Sequence, residues 1–169
     1  MNHLYKPGDL EMHISNVYKQ HGILYPYQLD EQYLADIFDI VIVYASRSFG
    51  YWDDCRIIGL HKDLRFDSAK RREVFFHELG HLLLHVGDQS NMSKSFREYQ
   101  EIQANRFMLF AAIPYHMLTY IDLSAKRDFI LCEMQDVFKM PVDVCATRLD
   151  YIENKMLQIC AESSLYYTL

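Results

Sequence analysis

Residues 71–85 read RREVFFHELGHLLLH, and within them HELGH at positions 77–81 decides how the rest of the chain is interpreted. If this stretch is helical, His77 and His81 lie four residues apart on one face, so both imidazoles can reach one metal ion, with Glu78 rotated to one side. This H-E-x-x-H arrangement is typical of zinc peptidases, and random order would produce it in roughly two chains of this composition per hundred. The stretch therefore predicts a metal-binding helix.

The same helix carries a second, apolar face. Its apolar residues recur at i, i+4, i+7, i+8 and i+11, the spacing of a core-facing stripe. They are Phe75, Leu79, Leu82, Leu83 and Val86. Asp67 is a suitable N-cap, so the helix is expected to run to about Val86 and to end near Gly87. The polar segment Gly87 to Lys94 is expected to form a mobile loop at the rim of the site.

A catalytic zinc ion typically takes three protein ligands and keeps a fourth position for water, so a third ligand is needed. Glu98 and Glu101 on the next predicted helix are the candidates. Ser95 and Glu98 match the S-x-x-E capping box, which gives Glu98 a local role. Glu101 lies further inside the helix, with Asn105 four residues later on its own face. We therefore assign Glu101 as the third ligand and expect Asn105 to hydrogen-bond a ligand.

Glu78 is predicted to be the catalytic base and not a ligand. It would take a proton from the zinc-bound water as that water attacks a peptide carbonyl, and would pass the proton to the leaving amine. Zinc would polarise the carbonyl and stabilise the developing oxyanion. A further oxyanion donor remains open, because the sequence does not choose among the three available side chains, Tyr99, Tyr115 and His116.

His85 is not predicted to be a ligand. On a straight helix it would lie about 12 Å from His77, too far to share a zinc ion with bonds near 2 Å. The longer motif H-E-x-x-H-x-x-G-x-x-H is not matched either, because Leu84 stands where it needs glycine. His85 is expected to line the rim, to support a ligand or to pack.

The flanking segments predict an α+β fold, a mostly helical single domain over residues 1–169 with a zincin-like two-helix metal site. Helices are expected at residues 9–22, 26–38, 95–111, 126–138 and 141–157, the last two packed on the rest of the domain. Short strands are expected at residues 40–45, 50–52 and 55–60. Because the links between them are too short for crossover helices, the predicted sheet is antiparallel. The tail, residues 161–169, shows no clear period.

Composition restricts the partners and the compartment. The 169 residues are 50% hydrophobic, which excludes disorder of the whole chain, and the net charge of −6 gives no overall positive field for nucleic acid. A protein partner or peptide substrate is therefore expected. No apolar run approaches the ~18 residues that span a bilayer, and the N-terminus lacks a secretory pattern, so a cytoplasmic protein is expected. Its four cysteines are expected to be reduced and mostly in the core.

The segments HELGHLLLH and EIQANRFMLFAAIP resemble the ImmA/IrrE family of metallopeptidases, found in bacteria, phages and mobile elements. The resemblance covers roughly residues 10–149, including A-N-x-F at 104–107, Pro114 and the pair Arg148-Leu149. Met108 and Phe110–Ala112 depart from the small residues that follow A-N-x-F in the family.

The resemblance implies zinc binding by His77, His81 and Glu101, with Glu78 as the base. It further implies cleavage of a specific helix-turn-helix transcriptional repressor, which relieves repression of a phage or mobile element. Members of this size resemble antirepressors.

An alternative hypothesis is a regulator without proteolysis, a zinc-stabilised module that binds a repressor protein or DNA. Residues 129–149 resemble a helix-turn-helix, and the basic residues in and beside this segment are Lys126, Arg127, Lys139 and Arg148. The same helices also carry acidic residues, and a merely structural zinc needs no base, so Glu78 favours the enzyme.

Overall fold

The computed structural model describes residues 5–85 and 92–166, with side chains up to residue 162. The helices are α1 (Asp9–Gln20), α2 (Glu31–Ile37), α3 (Ser68–Leu84), α4 (Lys94–Ala112), α5 (Arg127–Phe138) and α6 (Val142–Tyr166). The strands are β1 (Ile40–Ala45), β2 (Phe49–Trp52) and β3 (Arg56–His61). Short 3-10 helices cover Pro26–Gln28, Lys62–Phe66 and Tyr115–Tyr120. The α+β, mostly helical fold class is confirmed. None of the described helices is both long and apolar enough to cross a membrane.

The sheet is mixed, which corrects the predicted antiparallel sheet. β3 lies in the middle and pairs parallel with β1 and antiparallel with β2. The chain leaves β1 at Ala45 and enters β2 at Phe49 on the far side of the sheet, so the later β3 is inserted between them. Four residue steps reach about 13 Å, enough for the ~9.6 Å of two strand spacings. The parallel pair therefore needs no crossover helix.

The second predicted helix begins later than residue 26. Pro26–Gln28 form a 3-10 turn, and α2 starts after Asp30, whose carboxylate accepts a hydrogen bond of 2.9 Å from the Tyr33 N–H. This cap fixes a non-helical backbone at Asp30, so a single helix cannot run through it. α1 matches its prediction at the C-terminal end, where Gly22 has a φ of +74°. Its N-cap, however, is Gly8 and not Asp9.

Helix α3 packs with one side on the sheet and another on α4. Asp67 caps its start by accepting a hydrogen bond of 2.9 Å from the Lys70 N–H, as predicted. The predicted stripe is buried at Phe75, Leu79 and Leu82, and half-buried at Leu83. The helix ends at Leu84, and Val86 and most of the predicted loop Gly87–Lys94 lie outside the described residues.

The capping box predicted for α4 is wrong. The N-cap is Ser93, whose hydroxyl accepts a 3.3 Å hydrogen bond from the Phe96 N–H, so the helix begins two residues earlier than a Ser95 cap would allow. Glu98 is consequently an exposed residue of the second turn, and its carboxylate lies 3.8 Å from the Lys94 ammonium.

The C-terminal helices are joined to α1 by a buried ion pair. Arg148 on α6 and Glu11 on α1 lie 2.7 Å apart, and both side chains are fully buried. Arg148 also donates to the Tyr5 hydroxyl and to the Ile113 carbonyl, each at 3.2 Å. α6 runs to Tyr166 instead of ending near residue 157, because no glycine or proline interrupts the predicted tail before that point.

The cysteines are mostly outside the core, contrary to expectation. Cys55, Cys132 and Cys160 are exposed, and Cys145 is buried. Cys55 lies in the turn between β2 and β3, where the strand assigned from residue 55 begins only at Arg56.

Candidate active site

The two helices that carry the predicted site approach closely at Gly80, which lies between the motif histidines. A Cβ atom at this position would lie 3.1 Å from the Ala104 carbonyl oxygen and 3.1 Å from the Phe107 ring. Only glycine allows this spacing without a shift of α4. The helices run antiparallel, since His77 contacts Asn105 whereas His85, further along α3, contacts Gln100.

This approach brings His77, His81 and Glu101 together. The Nε2 atoms of the two histidines are 3.0 Å apart, and each lies 3.4 Å from a Glu101 carboxylate oxygen. In a tetrahedral zinc site with bonds of 2.0–2.1 Å, neighbouring ligand atoms are about 3.3 Å apart. The donor types and spacings therefore fit a metal ion, and these three residues form a group that could hold one.

The ring of His77 is oriented by Asn105. Its Nδ1 lies 3.0 Å from Asn105 Oδ1, and an amide oxygen can only accept, so Nδ1 carries the proton. The Nε2 lone pair then points into the cluster, as a metal ligand requires. Burial, together with the neighbouring His77, lowers the pKa of His81. A lowered pKa favours the neutral imidazole, which is the form that binds metal.

Glu98 and His85 lie outside this cluster. The α4 helix presents Glu101 to the two histidines, whereas Glu98 is about 4.5 Å nearer its N-terminus and contacts Lys94. His85 donates from Nε2 to the Gln100 carbonyl oxygen at 3.1 Å, and its ring centroid is 5.5 Å from that of His81. It packs beside a cluster histidine and lines the cavity described below.

Glu78 lies beside the cluster without belonging to it. The Glu78 side chain extends from α3 and is half-buried. Its carboxylate accepts a hydrogen bond from the backbone of Gly50 on β2. Burial, followed by the negative charge of Glu101, raises the pKa of Glu78 to about 7, while the Gly50 hydrogen bond acts in the opposite direction. A carboxylate with a pKa near neutrality can both accept and release a proton at physiological pH.

The cluster opens into a cavity of about 790 Å³. One wall is the motif helix, with His77, Glu78, His81, Leu82 and His85, and α4 adds Arg97 and Glu101. The opposite wall is the continuous segment Arg47 to Asp53, which contains all of β2. β2 is an edge strand, because only one of its sides pairs with β3 among the described residues.

The sequence did not identify the segment Arg47–Asp53 or Arg97 as part of the site. None of the three proposed oxyanion donors lines the described cavity. The Tyr99 hydroxyl accepts from Gln103, Tyr115 packs on Tyr5, and the His116 ring hydrogen-bonds the Ile23 carbonyl. Gly50 could have indicated that this segment packs against the motif helix, because a glycine inside a short strand often marks a close approach of another backbone. A Cβ on Gly50 would lie 3.3 Å from the Glu78 carbonyl oxygen.

Comparison with known proteins gives a family for this arrangement. Residues 36–150 match the Peptidase_M78 family, described as the IrrE N-terminal-like domain. The chain is 32% identical over 163 residues to the phage-like element PBSX protein XkdA of Bacillus subtilis (strain 168), covering 95% of this chain and 81% of that protein. No solved structure matches the chain significantly. The chain therefore belongs to the Peptidase_M78 family of metallopeptidases, the IrrE N-terminal-like domains.

Proposed function

We propose that the protein is a zinc-dependent endopeptidase that cleaves a specific helix-turn-helix transcriptional repressor and so relieves repression of a phage or mobile element. The observation that carries this proposal is the convergence of His77, His81 and Glu101 at 3.0–3.4 Å with Glu78 beside them in one open cavity. A closed structural metal site would need a fourth protein ligand and no adjacent base.

The proposed reaction is hydrolysis of a peptide bond. A zinc ion held by the three side chains would supply a Lewis acid that activates water and polarises the peptide carbonyl. The Glu78 carboxylate would take a proton from the attacking water and deliver it to the leaving amine nitrogen. Asn105 would keep the His77 ring in the tautomer that presents Nε2.

The cavity suits an extended peptide. β2 lies along it as an edge strand of the described residues. The main-chain groups on the outer side of an edge strand can pair with a substrate in the extended conformation. Pairing of this kind would hold a peptide carbonyl between β2 and the motif helix, next to Glu78.

The proposed substrate and the proposed role in a phage or mobile element are inferred from similarity to related proteins. The name of the relative XkdA refers to a phage-like element, which supports a role in the regulation of such an element. A repressor that binds DNA is the protein whose destruction would produce that regulation. We place the reaction in the cytoplasm, where a transcriptional repressor of this kind acts.

The test uses the purified zinc-loaded protein and any small helix-turn-helix repressor found encoded beside its gene, with cleavage followed by gel electrophoresis and mass spectrometry. The wild-type protein should cut the repressor, and Glu78→Gln should reduce cutting at least ~10²-fold while retaining its metal content. Glu73→Gln is the matched control, because Glu73 lies on the same helix but pairs with Lys70 at 2.8 Å. Equal cutting by Glu78→Gln and the wild-type protein would sink the mechanism.

The alternative of a regulator that binds DNA has weaker support. Of its four basic residues, Arg148 is fully buried and Arg127 is paired with Asp150 and Glu153 at 2.6 and 2.8 Å. A phosphate-binding surface needs accessible cations, which leaves Lys126 and Lys139 for that role. Relief of repression by Glu78→Gln equal to that by the wild-type protein, without cleavage, would favour this alternative.

A further inference from the structure

The cavity wall opposite the motif helix carries an exposed tryptophan. Trp52, the one tryptophan of the chain, ends β2 and lines the same cavity as His77 and Glu78. Its side chain is 44% exposed. A large aromatic surface left open in a concave site is typical of ligand-binding positions, because a ligand can cover it.

The geometry of β2 directs this side chain toward the site. Gly50 faces α3, since a Cβ on it would lie 3.3 Å from both the Glu78 carbonyl oxygen and the Leu82 side chain. Side chains alternate along a strand, so Trp52 lies on the same face as Gly50, about 6.8 Å further along. The indole is therefore a near neighbour of the point where Glu78 meets β2.

The indole is held in place by Arg56. The two residues are direct partners across β2 and β3, and the guanidinium carbon lies 4.4 Å from the ring centroid. Arg56 is itself half-buried and donates a hydrogen bond of 2.8 Å from Nη1 to the Phe38 carbonyl oxygen. A cation held over the ring restricts the indole before any ligand binds, which lowers the entropic cost of binding.

We propose that Trp52 forms an apolar subsite that selects a large aliphatic or aromatic side chain of the substrate, one or two residues from the bond that is cut. This inference rests on the proposed peptidase function. An extended peptide advances about 3.4 Å per residue, so a chain paired with β2 and cut beside Glu78 would place such a side chain against the indole.

Trp52 can report on its own subsite, because its fluorescence is the only indole signal of the chain. The zinc-loaded Glu78→Gln variant is titrated with blocked hexapeptides in which Phe, Ala or Asp is moved through each position of a common sequence. For one position, the Phe peptide should shift the emission to shorter wavelength in a saturable manner. Its Kd should be at least ~tenfold lower than those of the Ala and Asp peptides.

The matched control for this titration is Phe66→Ala in the same background. Phe66 is 92% exposed and is not among the residues that line the cavity, so its removal should leave every Kd unchanged. Equal Kd values for the three peptides at every position, or no saturable change in emission, would overturn the subsite.

A cleavage profile distinguishes this inference from the function on which it rests. The wild-type protein, Trp52→Ala and Trp52→Phe are incubated with peptides of random sequence, and the products are identified by mass spectrometry. Trp52→Ala should lower the enrichment of large apolar residues at one position about tenfold, and Trp52→Phe should keep most of it. A merely structural role would reduce stability in urea without altering the preference.

Failure of the Trp52 subsite and failure of the peptidase function give different results in these experiments. Identical profiles for the wild-type protein and Trp52→Ala would contradict the subsite while leaving the peptidase function intact. If the wild-type protein cuts no peptide and no repressor, the proposed function is wrong, and the fluorescence titration still decides whether Trp52 binds apolar side chains.

Discussion

The Nδ1 atom of His77 on α3 lies 3.0 Å from the Oδ1 atom of Asn105 on α4, so one helix sets the tautomer of a metal-binding candidate on the other. Replacing the amide removes this constraint and frees the ring to rotate. We expect Asn105→Ala to raise the Kd for zinc about 10–100-fold, measured by competition with a chelating dye.

Gln103→Ala is the control for the Asn105 prediction. Gln103 lies on the same helix, but its amide donates to the Tyr99 hydroxyl at 2.9 Å, away from the cluster. Its replacement should leave the Kd for zinc unchanged. An Asn105→Ala protein that binds zinc as tightly as the wild type would show that the hydrogen bond has no part in metal binding.

The roles of two glutamates on α4 can be distinguished by the zinc content of the proteins in which each is replaced by alanine. Glu101 lies 3.4 Å from both histidine Nε2 atoms, whereas Glu98 contacts Lys94 on the exposed surface. Glu101→Ala should therefore lose zinc on dialysis, and Glu98→Ala should retain it, as measured by atomic emission of the dialysed proteins. The reverse pattern would show that Glu98 is the third ligand.

The convergence of His77, His81 and Glu101 was predictable because the sequence features that produce it are local. The spacing within HELGH and the helical phase of α4 place three donors on facing surfaces, and both helices form where their periodicity indicates. The choice of Glu101 over Glu98 nevertheless rested partly on a capping box that does not form. Gly80 packs against Ala104 and Phe107 of α4, and this contact places Glu101, and not Glu98, beside the histidines.

The cavity wall was not predictable in the same way. β1 pairs with β3 through residues that are sixteen positions apart in the sequence. This pairing depends on where the chain crosses the sheet, and no short sequence motif indicates that position. The sequence of Arg47–Asp53 consequently indicated a turn followed by a strand, with no sign that this segment lines the same cavity as His77 and His81. Buried pairs such as Glu11 with Arg148 are 137 residues apart and give no local pattern at all.

The buried pair of Arg148 and Glu11 should dominate the stability of the contact between α6 and α1. Arg148→Met would leave the fully buried Glu11 carboxylate with Lys155, at 3.7 Å, as its one cationic partner among the residues that the structure describes. We expect a loss of about 3–5 kcal/mol in the free energy of unfolding, measured in urea. Arg127→Met is the control, because that arginine forms its ion pairs at the exposed surface and should move the urea midpoint far less.

Reaction with iodoacetamide should distinguish Cys145 from the other cysteines. Burial, and next the charge of Asp143, raises the pKa of the Cys145 thiol to about 12. The thiolate is the reactive form, and at pH 8 only about one in 10⁴ such thiols is ionised. In the native protein, Cys55, Cys132 and Cys160 should be alkylated at pH 8, and Cys145 only after unfolding in urea.

The alkylation of Cys145 should also have a defined dependence on pH. Raising the pH from 8 to 10 should leave Cys145 mostly protonated and protected in the native protein, because its pKa lies above that range. Peptide mass spectrometry identifies each site. Native labelling of Cys145 at the rate of Cys132 would contradict the burial of this α6 side chain in the core.

Gly80 should control both stability and metal binding, because it sets the distance between α3 and α4. A Cβ there would already lie 3.1 Å from the Ala104 carbonyl oxygen, and the branched side chain of Gly80→Val would force α4 outward. We expect a loss of about 1–3 kcal/mol in the free energy of unfolding from overpacking. Gly80→Ala should cost less, because its better helix propensity of about 1 kcal/mol offsets part of the clash.

The effect on metal binding follows from the same displacement. Moving α4 outward carries Glu101 away from His77 and His81, so Gly80→Val should also weaken zinc binding, measured by dye competition under conditions where the variant is folded. Lys70→Val is the control, since it places valine in the same helix at an exposed position and should leave the Kd for zinc unchanged. A Gly80→Val protein that is destabilised but binds zinc normally would show that Glu101 tolerates the shift, and would leave the spacing of the helices as a matter of packing alone.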